Sequence, residues 1–230
     1  MYYKLIETNT KGRDFVVSDL HGCYDLLMSN MKRVNFDTTK DRLFIVGDLI
    51  DRGTQNKECL SLLTEPYVFA IMGNHEYMLL NYINGIEVDL FLYNGGDWVL
   101  QEFYDYLLTV KPLLEQLPIM LETTVEGKSI GFVHADIKDW TSNKQILQDS
   151  DINSTDPFST HNYETMSLLW SRTRISIKDT SPTTGIDLVF LGHTPLHEIT
   201  TLSNNIYIDT GAVFEGGKMS FIEIKDYVKN

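Results

Sequence analysis

Five short apolar runs in this 230-residue chain each lead, within three residues, to an aspartate, asparagine or histidine. Phe15-Val16-Val17 runs into Ser18-Asp19-Leu20-His21-Gly22, and Leu43-Phe44-Ile45-Val46 into Gly47-Asp48-Leu49-Ile50-Asp51-Arg52-Gly53. The segment from Tyr67 to Ile71 leads through Met72 to Gly73-Asn74-His75-Glu76. Ile130 to Val133 is followed by His134-Ala135-Asp136, and Leu188 to Leu191 by Gly192-His193-Thr194-Pro195. Runs this short, rich in β-branched and aromatic residues, suit strands buried on both faces. Helical stripes lie between the first of them, at Leu27, Met31 and Val34 and again at Cys59, Leu60, Leu62 and Leu63. Strand, helix, strand, helix, strand is the rhythm of a largely parallel α/β sheet, which binds ligands at the C-terminal strand ends. The polar residues stand at that edge.

Their chemistry points to metal. Carboxylate, imidazole and amide oxygen form a hard-to-intermediate donor set, suited to manganese, iron or zinc. Asp19 and His21 are two apart, so in an extended chain both side chains point to one side and can share an ion. Asp48 can bridge two ions with its two oxygens, and Asn74, His134 and His193 can complete the second site. Two ions roughly 3.5–4 Å apart clamp a phosphoryl group and share a water. Such a pair also settles a conflict of charge. The net charge of −13 disfavours nucleic-acid binding and would repel a phosphate substrate, unless bound cations invert the local field.

The remaining sequence reads as one domain over 1–230, with a helical insertion at about 76–117 carrying Val99, Phe103, Tyr106, Leu107 and Val110 on one stripe. Its aromatics Tyr77, Tyr82, Trp98, Phe103, Tyr104 and Tyr106 are expected to pack the insertion, with some lining a substrate groove. Two later strands are expected, at 206–208 and 219–224. Lys138 to Thr165 is polar and irregular and is expected as a long loop. The chain lacks a membrane-length apolar stretch and an export-type start, so it is expected in the cytoplasm, with Cys23 and Cys59 as reduced thiols. Arg174, His161 and His197 read as surface or structural residues.

Asp-Leu-His-Gly, Gly-Asp-Leu-Ile-Asp-Arg-Gly and Gly-Asn-His-Glu, followed by separated histidines, resemble the metallophosphoesterases. More narrowly, the chain resembles the phosphoprotein phosphatases that act on serine and threonine, above all the branch known from bacteriophage lambda. Trp170-Ser171-Arg172 and Tyr207 to Phe214 share the resemblance, which covers nearly the whole chain. It implies an α/β (by some schemes α+β) sandwich of two mixed β-sheets flanked by helices. It implies Asp19, His21 and Asp48 on one metal, and Asp48, Asn74, His134 and His193 on the other. The metals would be two divalent ions, Mn²⁺ first, with Fe, Zn, Ni or Co as substitutes. It further implies His75 as general acid oriented by Asp51, and Arg52, Arg172 and Asn74 on the substrate phosphate. Attack would come in line from a metal-bridging hydroxide, without a phosphoenzyme.

Met72 stands where many relatives carry arginine, which leaves the phosphate clamp to Arg52 and Arg172. The implied partners are phosphoproteins or phosphopeptides, with no nucleic acid and no membrane, and the protein is expected as a monomer or weak homo-oligomer, in the host cytoplasm if phage-encoded. One rival is a bis-nucleoside polyphosphate or other phosphoester hydrolase on the same scaffold, disfavoured by Asp51-Arg52-Gly53 and Glu76. Another is a metal-binding regulatory module without turnover.

Overall fold

The computed structural model describes residues 2–102, 104–153 and 163–228. Its strands are β1 (Tyr3–Leu5), β2 (Asp14–Val17), β3 (Arg42–Ile45), β4 (Val68–Ala70), β5 (Met120–Val125), β6 (Lys128–Val133), β7 (Leu188–Leu191), β8 (Thr200–Leu202), β9 (Asn205–Tyr207) and β10 (Phe221–Glu223). Its helices are α1 (Tyr24–Arg33), α2 (Asn56–Ser61), α3 (Asn74–Ile83), α4 (Val88–Phe91), α5 (Tyr104–Glu115), α6 (Trp140–Asn153), α7 (Tyr163–Trp170), α8 (Thr173–Ile177) and α9 (Lys225–Val228). One sheet runs β10-β2-β3-β4 and the other β1-β5-β6-β7-β9-β8. Strands β2, β3 and β4 are parallel, as the alternation of strands and helices predicts. Elsewhere the sheets are mixed, with β10 antiparallel to β2 and β5 antiparallel to β6.

Alternation along each strand builds three apolar layers, because successive side chains point to opposite faces. Val16, Phe44, Val46 and Ile71 point between the sheets, where they meet Leu121, Ile130, Phe132, Phe190 and Ile206. Phe15, Val17, Leu43, Ile45 and Ala70 point outward against α1, α2, α3 and α5, through Leu27, Met31, Leu60, Leu79 and Leu107. Val133, Val189, Leu191 and Tyr207 face a third layer with Trp140, Leu147 and Leu168. Across the central layer the rings of Phe44 and Phe132 stack at 4.5 Å between centroids, 2° from parallel.

The expected strands and the helical character of 76–117 are present, although Phe103 lies outside the described residues, as does His161. The long loop expected from Lys138 to Thr165 is not what forms. Trp140–Asn153 is helical, and α7 begins at Tyr163. The polar run hides a sparse apolar anchor: among the described residues of this helix, the hydrophobic side chains that are buried are Trp140 and Leu147, one heptad apart. Strands β1, β5 and β8 carry no clear signal in the sequence; β1 and β8 have three residues each and only gain a partner in the assembled sheet. Among the described residues no helix is long and apolar enough to cross a membrane.

Candidate metal centre

The C-terminal ends of β2, β3, β4, β6 and β7 meet at one edge of the sandwich. Backbone hydrogen bonds join them directly: Leu20 and His21 N–H donate to the Asp48 carbonyl, and Gly192 N–H to that of His134. Gly47 permits this approach, since its φ is +94° and a Cβ would lie 2.8 Å from the Gly73 backbone and from His134 Nδ1. Gly192 leaves room in the same way for the Asp19 carboxylate.

Asp48, 2 % exposed, sits at the middle. Its Oδ2 faces His21 Nε2 at 3.6 Å and His75 Nε2 at 3.8 Å, while its Oδ1 faces His134 Nε2 at 3.3 Å. Two groups of ligand atoms, His21–Asp48–His75 and Asp48–His134–His193, each lie within 4.8 Å of one another. Asn74 completes the second group, its Oδ1 lying 3.0 Å from His134 Nε2 and 2.9 Å from His193 Nδ1. Asp19 takes the His193 backbone N–H on Oδ2 at 2.9 Å, and its Oδ1 is buried without a hydrogen-bond partner. His21 does not have the extended backbone assumed from its spacing to Asp19. His21 has φ +42°, and the imidazole beside it and Asp48 is that of His75.

Each histidine ring is held by one nitrogen. A carbonyl faces His21 Nδ1 (Ile50 O, 2.8 Å), His134 Nδ1 (Val46 O, 2.7 Å) and His193 Nε2 (Trp170 O, 3.2 Å). A neutral imidazole donating there keeps its other nitrogen as a lone pair, which is how metal-ligating histidines are oriented. The other ring nitrogens of His21 and His134 face Asp48, and that of His193 faces Asn74. Arg52 donates to His21 Nε2 at 2.5 Å. This donor set, the unpartnered Asp19 oxygen and the central carboxylate fit a pair of divalent cations.

Electrostatics support the same reading. Burial, with His75 and Arg52 nearby, pushes His21 down to about 3, and burial with His134 does the same to His193. For His134 burial is outweighed by Asp48 and Asp19, and its pKa rises to about 10. Burial and then Asp209 drive Asp19 well above the carboxylate range. Asp48 goes the other way: burial opposes its charge, but His134 and His75 outweigh it and hold its pKa well below the carboxylate range.

Beside these groups lies a cleft of about 170 Å³ lined by Asp48, Arg52, Asn74, His75, Asn94, Trp170, Arg172 and His193. Both arginines thus share one cavity with His75. His75 Nδ1 is 2.6 Å from Asp51 Oδ2, and its Nε2 is buried with no hydrogen-bond partner. Burial opposes charge on His75, but Asp48 and the hydrogen-bonded Asp51 outweigh it and raise its pKa. Met72 is buried in the helix-facing core, so no charge is supplied from that position. His197 is exposed, whereas Arg174 is a buried structural residue donating to the Ile137 carbonyl and to Thr183.

Four residues join the site without having been singled out for it. Glu76 accepts the backbone N–H groups of Asp48, Leu49 and Gly73 at 2.8–2.9 Å. Asp209 lies close enough to act on the charge of Asp19. Asn94 comes from the insertion and lines the cleft, and Trp98 donates to Asp51. Glu76 and Asp209 follow apolar runs and carried that signal; Trp98 was read only as one of the insertion's aromatics, and Asn94 carried no signal.

A model of the calcineurin-like phosphoesterases matches residues 15–215. Serine/threonine-protein phosphatase 1 of Salmonella typhimurium is 34% identical over 97% of this chain and 97% of its own length. A symmetrical bis(5'-nucleosyl)-tetraphosphatase of Actinobacillus pleuropneumoniae is 43% identical, but over 32% of this chain and 28% of its own. Among solved structures, a mutant of a cold-active protein tyrosine phosphatase superposes with TM-score 0.63 and 17% identity, covering 97% of this chain and 77% of that one. With the matched segment spanning every strand-end residue described above, the chain belongs to the calcineurin-like phosphoesterase family.

Proposed function

We propose that this chain is a single-domain, manganese-dependent phosphoprotein phosphatase acting on phosphoserine and phosphothreonine. The observation that carries the reading is Asp48, whose two oxygens face two separate imidazole groups at the wall of a cleft holding two arginines. End-to-end similarity to a bacterial serine/threonine-protein phosphatase supports the substrate class.

In this reading Asp19, His21 and Asp48 would hold one ion, and Asp48, Asn74, His134 and His193 would hold the other. When bound, such a pair supplies Lewis-acid charge and lowers the pKa of water enough for hydroxide to be available near neutral pH. Arg52 and Arg172 bind the equatorial phosphoryl oxygens, where a planar guanidinium offers paired donors, and the Asn74 amide adds a further contact. The departing serine or threonine oxygen is a poor leaving group and needs a proton. His75 provides it from Nε2, the nitrogen turned away from Asp51, while Asp51 holds Nδ1–H and stabilises the charged ring.

Metal-stripped protein reconstituted with manganese should release phosphate from phosphoserine and phosphothreonine peptides. Parallel arms with a phosphotyrosine peptide, an aryl phosphate and a bis-nucleoside tetraphosphate test the reading. Turnover confined to the dinucleotide would move the substrate class, and no manganese-stimulated turnover on any arm would indicate a binding module. His75→Asn should lower turnover of a phosphoserine peptide by about 10²–10⁴-fold, and of an aryl phosphate by much less. Equal losses on the two substrates would remove His75 from the proton-donor role.

A further inference from the structure

We infer that Trp98 is a positioning residue for proton delivery, locking the Asp51 carboxylate that orients His75. The inference rests on the reading of His75 as general acid.

Trp98 Nε1 donates to Asp51 Oδ1 at 2.7 Å, while Oδ2 of the same carboxylate meets His75 Nδ1 at 2.6 Å. The backbone N–H of Asp51 is taken in turn by Asn56 Oδ1 at 2.8 Å. Asp51 is fully buried and has φ +74°, a backbone state that a non-glycine residue keeps only when its surroundings enforce it. Each carboxylate oxygen has one donor, so the carboxylate plane and the ring plane of His75 are fixed together. Without the indole N–H, Oδ1 would be a buried anionic oxygen lacking its donor, and the carboxylate would be free to turn about its last bond.

The donor is also anchored. Trp98 belongs to a 3₁₀ turn, Asp97–Gln101, inside the insertion, with Val99 buried beside it. Gly96 lies flat on the Phe91 ring, where a Cβ would collide, and this sets the direction in which the turn leaves. One residue earlier, the Gly95 carbonyl accepts the Arg52 backbone N–H at 3.2 Å. A single segment therefore grips both members of the Asp51-Arg52 pair, one by side chain and one by backbone. A tryptophan needed only for packing would leave its half-buried N–H to water. This one spends it on an anion 47 positions away in sequence.

The test compares Trp98→Phe with the unaltered manganese-loaded protein on a phosphoserine peptide and on p-nitrophenyl phosphate. Phenylalanine retains an aromatic ring at this position and removes the donor. A charge-assisted hydrogen bond of this kind is expected to move kcat on the peptide by about ten-fold or more, with KM within about two-fold and little change on the nitrophenyl ester. An equal loss on both substrates, or no loss, overturns the inference. Combining it with His75→Asn should add almost nothing to the peptide defect; a full further loss would mean that Trp98 acts elsewhere.

His75→Asn alone separates the two readings. If its own loss does not depend on the leaving group, the general-acid reading fails and takes this inference with it. If it does and that of Trp98→Phe does not, only the role of Trp98 falls. A readout independent of turnover is the indole N–H resonance, assigned by its disappearance in Trp98→Phe. It should lie downfield and move upfield in Asp51→Ala; an unmoved resonance overturns the contact.

Discussion

At the scale of single residues the site is built from strained backbone. Ten non-glycine residues among those described have positive φ, and five of them, His21, Asp48, Asp51, Arg52 and His193, belong to the candidate site. Left-handed conformations cost a non-glycine residue on the order of 1–3 kcal/mol each and persist where tertiary contacts over-determine them. Here those contacts are the carbonyls that hold the imidazoles and the hydrogen bonds that cross the strand ends. Asp48 shows why residue identity matters at this edge. An amide has one acceptor oxygen and no charge, so Asp48→Asn cannot serve two cationic groups equally. Metal analysis of that variant should show binding reduced at both positions, and an unchanged stoichiometry would contradict a bridging role.

At the scale of elements the device that holds the site is the first turn of α3. Glu76 reaches back to Gly73 N–H, capping its own helix, and also accepts Asp48 and Leu49 N–H from the loop after β3. Burial and then the charge of Asp48 push its pKa up to about 7, against the pull of its backbone donors. Glu76→Gln would turn an amide NH₂ toward an N–H that needs an acceptor. The expected cost is about 1–3 kcal/mol in chemical denaturation, because a buried donor is left unsatisfied. A midpoint equal to that of the unaltered protein would show that the loop is held by other contacts.

Elements also mark the limit of legibility. The strands that carry the candidate ligands were readable because an apolar run gives way abruptly to polar residues and glycine. Helix α6 was not, because Trp140 and Leu147 are too sparse a stripe within Thr141-Ser142-Asn143-Lys144-Gln145 and the polar residues after it. The insertion could be recognised as helical, yet nothing in its periodicity separates Trp98, which touches Asp51, from neighbours that only pack.

For the whole molecule, the stack of two sheets decides where the ligands meet. Asp48 follows β3 in one sheet and His134 follows β6 in the other, and the Phe44–Phe132 stack lies between those strands. Phe132→Ala should destabilise the protein by about 3–5 kcal/mol through lost burial and a cavity between the sheets. A fall in metal affinity should accompany it, since His134 lies two residues beyond. Denaturant titration beside metal titration checks both, and a loss of stability with unaltered affinity would uncouple the sheet interface from the site.

The sequence by itself determined the types, order and strand-end place of the candidate ligands, because burial on both faces and the need for a turn are local properties. It also specified the family, through motifs whose spacing is short. The tertiary structure decided which of these residues share a centre. His193 N–H meets the Asp19 carboxylate 174 positions away, and His75 comes beside His21 at Asp48. The insertion supplies the indole that completes the Asp51–His75 pair. Such contacts depend on sheet order and on how one sheet lies upon the other. No periodicity of a single chain encodes that, because many pairings of the same strands bury the same side chains.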